Sequence, residues 1–139
     1  MSLYVLDSDI LSLYRHGDPV VSQHVLAHPA TDLAITVITV EEPLSGWYTL
    51  LRRSRTPDRV ALAYQRLATA VPFLARFAIL PFPESAILRF EQLLAARLGV
   101  GSNDLRIAAI TLENAGILVS RNLRDFRRVP GLTAEDWTV

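Results

Sequence analysis

Short apolar runs and longer stretches of helical period alternate along this chain. Leu3-Tyr4-Val5-Leu6, ending at Asp7, and Ile117-Leu118-Val119 are too short for helices and predict strands buried in a sheet. Asp32–Thr36 and Phe77–Pro81 predict two more strands, and Leu132–Thr138 a short edge strand. Between them lie helical segments. Ile10–Tyr14 is stopped by Gly17, and Pro19–Ala27 follows. Thr39 is placed to cap a helix to about Arg53, with Glu42 in the capping-box position and with Pro43 and Gly46 weakening it. Pro57 and Asp58 open a helix through Val60, Leu62, Tyr64 and Leu67 that Pro72 bends or ends. Glu84–Leu98 is periodic, with Ile87, Leu88, Leu94 and Leu98 as its expected core face. Ser102 caps a last long helix, with Asp104 in its first turn, that runs to Asn114 and ends at Gly116.

Strand and helix alternate, so the pattern favours a three-layer α/β/α domain with a mainly parallel central sheet. The chain has 139 residues, the size of a single domain spanning 1–139, with no repeat or linker. No apolar run reaches the roughly 18 residues of a membrane span. The N-terminus has no basic region before its first apolar run, so no signal peptide is expected and a cytoplasmic location is. Cysteine is absent, which excludes disulfides, thiol nucleophiles and thiolate metal sites.

Basic and acidic residues balance at 14 each, against a simple polycationic nucleic-acid binder. All the basic residues are arginine. Arg52, Arg53, Arg55 and Arg59 form one cluster, which reads as a solvated face. Arg121, Arg124, Arg127 and Arg128 form another, where planar guanidinium groups suit phosphate.

The acids carry the chemistry. Asp7 and Asp9, Glu41 and Glu42, Asp104, and Asp125 beside Asn122 each stand where a predicted strand or loop meets a helix. In open parallel sheets, sites form outside the carboxyl ends of the strands. Oxygen donors gathered there suit a hard cation such as Mg²⁺ or Mn²⁺, which acts on phosphoryl groups. Each acid also has a plain structural reading. Asp7 serves equally as an N-cap, Glu42 as the capping-box partner of Thr39, Asp104 as a complement to its helix dipole, and Asp125 as a turn residue. Their joint placement makes the argument. His24 and His28 are four residues apart on one helix face, but no further zinc ligand accompanies them, so they read as surface or packing residues. Ser45 and Ser120 lack a histidine in a hydrolase motif, and Gly99-Val100-Gly101 is too short for a phosphate loop.

Four segments, in order and spanning nearly the whole chain, resemble the PIN-domain ribonucleases, and within them the VapC-type toxins of toxin–antitoxin pairs. Tyr4-Val5-Leu6-Asp7-Ser8-Asp9 is similar to that family's strand and Asp-Thr-Asn. Ile38-Thr39-Val40-Glu41-Glu42-Pro43-Leu44-Ser45-Gly46 is similar to its Ile-Thr-Val-Ala-Glu-Leu segment. Asn103-Asp104-Leu105-Arg106-Ile107-Ala108-Ala109 matches its Asn-Asp-x-x-Ile-Ala-Ala. Ser120-Arg121-Asn122, running on through Asp125 and Phe126, resembles its closing Thr-x-Asn/Asp segment. The resemblance implies a metal-dependent endoribonuclease with Asp7, Glu42 (not Glu41) and Asp104 as metal-binding acids and Mg²⁺ or Mn²⁺ as cofactor. Its fourth acidic position falls on Asn122, with Asp125 as the substitute. Asp9 stands where the family has asparagine, and Pro43 is atypical and expected to shift the helix start.

On this reading Asp9, Asn122 or Asp125 orients water or holds a second ion, Thr39 and Ser120 support the ligands, and Arg121 and Arg124 meet RNA phosphates. The resemblance also implies a small VapB-type antitoxin as partner and a homodimer, with Trp47, Tyr48 and Tyr64 as apolar candidates for such surfaces. Two rivals remain. Asp7-Ser8-Asp9 after a strand also opens haloacid-dehalogenase-like phosphatases, which normally use a lysine that this chain lacks. A PIN-like module that binds RNA or protein without cutting is the other, and Asn122 is its support.

Overall fold

The computed structural model describes residues 2–139. Five strands form one sheet: β1 (Tyr4–Leu6), β2 (Leu33–Thr36), β3 (Ala78–Leu80), β4 (Ile117–Val119) and β5 (Thr133–Glu135). Their spatial order is β3-β2-β1-β4-β5, and all four pairings are parallel. A parallel neighbour can be reached only by a crossover. Helices α1 (Ser8–Arg15) and α2 (Pro19–Leu26) make the first. Helices α3 (Val37–Arg53) and α4 (Pro57–Leu74) make the second, and α5 (Glu84–Ala95) and α6 (Ser102–Glu113) the third. The short α7 (Leu123–Phe126) precedes β5. This is the three-layer α/β/α architecture that the pattern predicts.

Strand side chains alternate between the two faces, and two cores result. Val5 and Leu118 pack with Phe90, Leu93, Leu105, Ile110 and Phe126. Leu6, Leu33, Ile35 and Val119 pack with Ile10, Val21, Val25, Leu74, Phe77 and Trp137 on the other face. The chain leaves β1 toward β2 and later returns on its other side as β4, so the order of strands reverses there. Leu6 lies opposite Val119 in the register. The next residues, Asp7 and Ser120, therefore emerge side by side, with the Asp7 N–H donating to the Val119 carbonyl at 3.0 Å.

Several local expectations change. Helix α3 begins at Val37 because the Thr36 hydroxyl, not Thr39, is the N-cap and accepts from the Thr39 N–H at 3.2 Å. Glu42 is thereby removed from any capping box. Pro43 lies inside α3 and leaves its start unmoved, since the cap sets that start. Gly101 rather than Ser102 precedes α6, and Ser102 is its first residue. After α6 the left-handed residue is Ala115, at φ 51°. Gly116 is needed for a different reason: a Cβ there would meet Val5 Cγ2 at 3.1 Å and the Leu3 carbonyl at 3.3 Å. The core face of α5 is Ala86, Phe90 and Leu93, spaced four and three apart. Ile87, Leu88 and Leu94 are 38%, 52% and 47% exposed, and Leu98 is only partly buried. The apolar residues of α5 cover more than one face, and its packing against α6 selects which of them is buried.

The caps give a direct test. Thr36→Ala should lower stability by about 1 kcal/mol, whereas Ser102→Ala should stay within about 0.5 kcal/mol of the parent, both by urea denaturation.

Candidate active site

Apart from Glu42, in the second turn of α3, the residues of the site stand at or near a strand end or a helix start. Asp7 follows β1 and caps α1, its Oδ1 accepting from the Ile10 N–H at 2.9 Å. It is only 8% exposed. Thr36 ends β2 and starts α3, which carries Glu42 inward over the sheet edge while Glu41 faces solvent. Asp104 is in the first turn of α6. Ser120 follows β4, fully buried, and Asn122 precedes α7. Asp7, Asp9, Glu42, Asp104, Ser120 and Asn122 line one cleft of about 210 Å³, floored by Ile107 and Phe126. The cleft lies outside the carboxyl ends of β1 and β4, where the strand order reverses.

Like charges and burial act on this cleft together. Burial, reinforced by Asp9 and Asp104, raises the Asp7 carboxyl to about 6, against the opposing pull of the Ser120 hydroxyl and the Ile10 N–H. Asp104 is also raised, first by burial and then by Glu42 and Asp125. Asp7 is therefore both the cap of α1 and a lining residue of the cleft.

Other candidates fall differently. Asp9 lines the cleft, but its carboxylate is paired with the Arg121 guanidinium across its mouth, so Arg121 is not a free phosphate contact. Asp125 is not among the lining residues. It accepts from Asn122 Nδ2 at 3.0 Å and stands 3.8 Å from Arg128 Nη1. Thr39 is buried beside Thr36 and Ser8 and lines an adjoining groove rather than the cleft. Arg124 is exposed on α7 and does not line the cleft. His24 and His28 stack on Trp137 at ring separations of 5.4 and 4.7 Å, the packing role expected of them. Tyr48 and Tyr64 are exposed, as a surface role requires, while Trp47 is half-buried.

The adjoining groove, about 540 Å³, shares Ser8 and Glu42 with the cleft and is lined also by Arg15, His16, Trp47, Arg66 and Phe73. The sequence reading missed it, because helix packing alone brings α1, α3 and α4 together and no local pattern marks it. Thr36 was missed too, although a threonine at the end of an apolar strand was a legible cap signal.

The donors suit a hard cation: four carboxylates, of which Asp9 is paired with Arg121, an amide, and neither thiolate nor imidazole in the cleft. Among the described residues no three acidic or imidazole side chains stand close enough to enclose an ion as they are. Asp9 and Asp104 oppose the charge of Asp7, and Glu42 and Asp125 that of Asp104.

No family model matches the chain. It is 30% identical over 141 residues to the ribonuclease VapC2 of Haemophilus influenzae, covering 99% of each. It is 32% identical over 109 residues to the tRNA(fMet)-specific endonuclease VapC of Salmonella typhimurium, covering 76% of this chain and 75% of that one. Among solved structures, DNA-bound VapBC from Salmonella typhimurium aligns with a TM-score of 0.76 at 27% identity, over 99% of both chains. VapBC-1 from nontypeable Haemophilus influenzae aligns at 0.78 and 23% identity, over 99% of both, a likeness of fold.

The raised Asp7 makes a pH prediction. Its folded value, about 6, exceeds the unfolded 3.8, so metal-free stability declines as pH rises between those values and levels off above. Asp7→Asn keeps the cap and removes the charge. At pH 7.5 without metal the variant should be more stable than the parent by up to about 3 kcal/mol. The gap should close near pH 4, as read by urea denaturation at both pH values.

Proposed function

Because the chain belongs to the VapC family of ribonucleases, we propose that residues 1–139 form one PIN-like domain that hydrolyses RNA phosphodiester bonds as the toxin of a toxin–antitoxin pair. The observation that carries this reading is the convergence of Asp7, Glu42, Asp104 and Asn122 on one cleft where the strand order reverses. Asp7, Glu42 and Asp104 would hold Mg²⁺ or Mn²⁺. When bound, such an ion stabilises charge on the phosphoryl oxygens and acidifies water.

The remaining steps belong to the chain. Ser120, fully buried, accepts from the Asn122 N–H at 2.9 Å and lies against Asp7, so one hydroxyl ties two cleft residues together. Arg124 is exposed on α7 and meets the RNA backbone. Arg121 stands at the mouth, where an RNA phosphate competes with Asp9 for its guanidinium. A VapB-type antitoxin is the expected partner, and the cleft acids favour an arginine from it. The exposed Ile87, Leu88 and Leu94 on α5 support a homodimer. The phosphatase alternative is disfavoured, since Asp9 is engaged by Arg121 and no lysine exists to serve it.

Asp7→Asn and Asp104→Asn should each reduce RNA cleavage by more than about a hundredfold, beyond the loss typical of an outer-shell change. Chelator should abolish cleavage, and added Mg²⁺ or Mn²⁺ should restore it. Gel assays on a pool of structured RNAs check this. Metal-independent cutting, or cutting by both variants at the parent rate, would sink the proposal. RNA binding without cutting would favour a binding module.

A further inference from the structure

Asn122 and Asp125 compete in the sequence for the same role, and the structure gives them different ones. Asn122 lines the cleft and Asp125 does not. The Asn122 main chain is held at both ends. Its N–H donates to Ser120 Oγ at 2.9 Å, and its carbonyl accepts from Phe126 N at 3.3 Å, where Phe126 is buried in the core. Although Asn122 precedes α7, its side chain makes no capping bond. What is left to fix is the rotation of its amide.

Asp125 fixes it. A carboxylate only accepts hydrogen bonds, so it must face the NH₂ side of the amide, and Nδ2 donates to Asp125 Oδ2 at 3.0 Å. The flipped amide would set oxygen against oxygen. Arg128, 3.8 Å from Asp125 Oδ1, steadies the carboxylate from behind. The amide oxygen is then the Asn122 side-chain atom left for the cleft. We propose that Asp125 is a positioning residue, which orients Asn122 so that its Oδ1 serves as a neutral oxygen ligand for the divalent cation.

This arrangement answers a problem of charge. Asp9 and Asp104 already oppose the charge of Asp7, and Glu42 that of Asp104, and a carboxylate in place of Asn122 would add to that. Here the fourth position contributes an oxygen without a charge, and the charge that orients it stays outside the cleft wall. The proposal deepens the nuclease reading and rests on it.

Mn²⁺ binding followed by electron paramagnetic resonance tests it, with RNA cleavage measured in parallel and folding checked by circular dichroism. Asn122→Ala and Asp125→Ala should each weaken Mn²⁺ binding about tenfold. The double variant should be no weaker than Asn122→Ala alone, because Asp125 acts on the ion through Asn122, and losing its charge, the smallest of the causes that raise Asp104, does not weaken binding by itself. Asp125→Asn keeps an acceptor and removes the charge, so it should stay within about threefold of the parent. Multiplying losses in the double variant would overturn the proposal and make Asp125 a ligand in its own right. So would an Asp125→Asn loss equal to that of Asp125→Ala. A parent that binds Mn²⁺ and cuts RNA confines either failure to this proposal. A parent that binds no Mn²⁺ and cuts nothing overturns the nuclease reading with it.

Discussion

Everything in this molecule is arranged around one electrostatic constraint: Asp7 is buried at the end of the central strand with other carboxylates beside it. It cannot move outward, because β1 is flanked by β2 and β4 and because its side chain caps α1. Its ionisation is costly, which raises it to about 6. Asp104 bears a share of the same cost from Glu42 and Asp125. A cluster of this kind costs stability when empty and favours a cation when one is available. Within the cleft the fold supplies little relief, a hydroxyl and a main-chain N–H on Asp7; the guanidinium of Arg121 is at the mouth, on Asp9.

The parallel sheet makes the cluster possible. Each strand delivers its last residue to the same edge, and each crossover helix starts there. Asp7, Thr36 and Ser120 stand at or just past the ends of β1, β2 and β4, and each takes part in beginning or bracing the next element of the chain. Asp7 is thus at once a helix cap and a lining residue of the cleft, whereas Thr36 is a cap alone. This is why the plain structural reading of Asp7 as a helix cap leaves its carboxylate facing the cleft.

Much of this was legible in the sequence. Short apolar runs gave away the strands, since a run of three or four apolar residues between polar ones has few other uses. Asp7, Glu42 and Asp104 could be grouped because acids at strand–helix junctions share one end of a parallel sheet, while the choice of Glu42 over Glu41, and of Asn122, came from the family resemblance. What was not legible depends on tertiary packing. Helix α5 carries apolar residues on more than one face, and only its contact with α6 selects Ala86, Phe90 and Leu93. Gly116 looked like a helix stop, but its constraint is the approach of Val5 and Leu3, far away in sequence. The pairing of Asp9 with Arg121 across the cleft needs β1 and β4 to be neighbours. The division between Asn122 and Asp125 needs the direction of one amide, which no pattern of residue types encodes.

The central claim is that these carboxylates form the seat of a divalent cation. The most direct measurement is the thermal melting of the protein, freed of any partner, with and without Mn²⁺ at pH 5 and pH 7.5. A ligand that binds only the folded state raises its stability in proportion to affinity, and protons compete for Asp7 at the lower pH. The account predicts a rise in melting temperature with Mn²⁺ that is clearly larger at pH 7.5. No rise at either pH, or a rise that Asp7→Asn leaves unchanged, would contradict it.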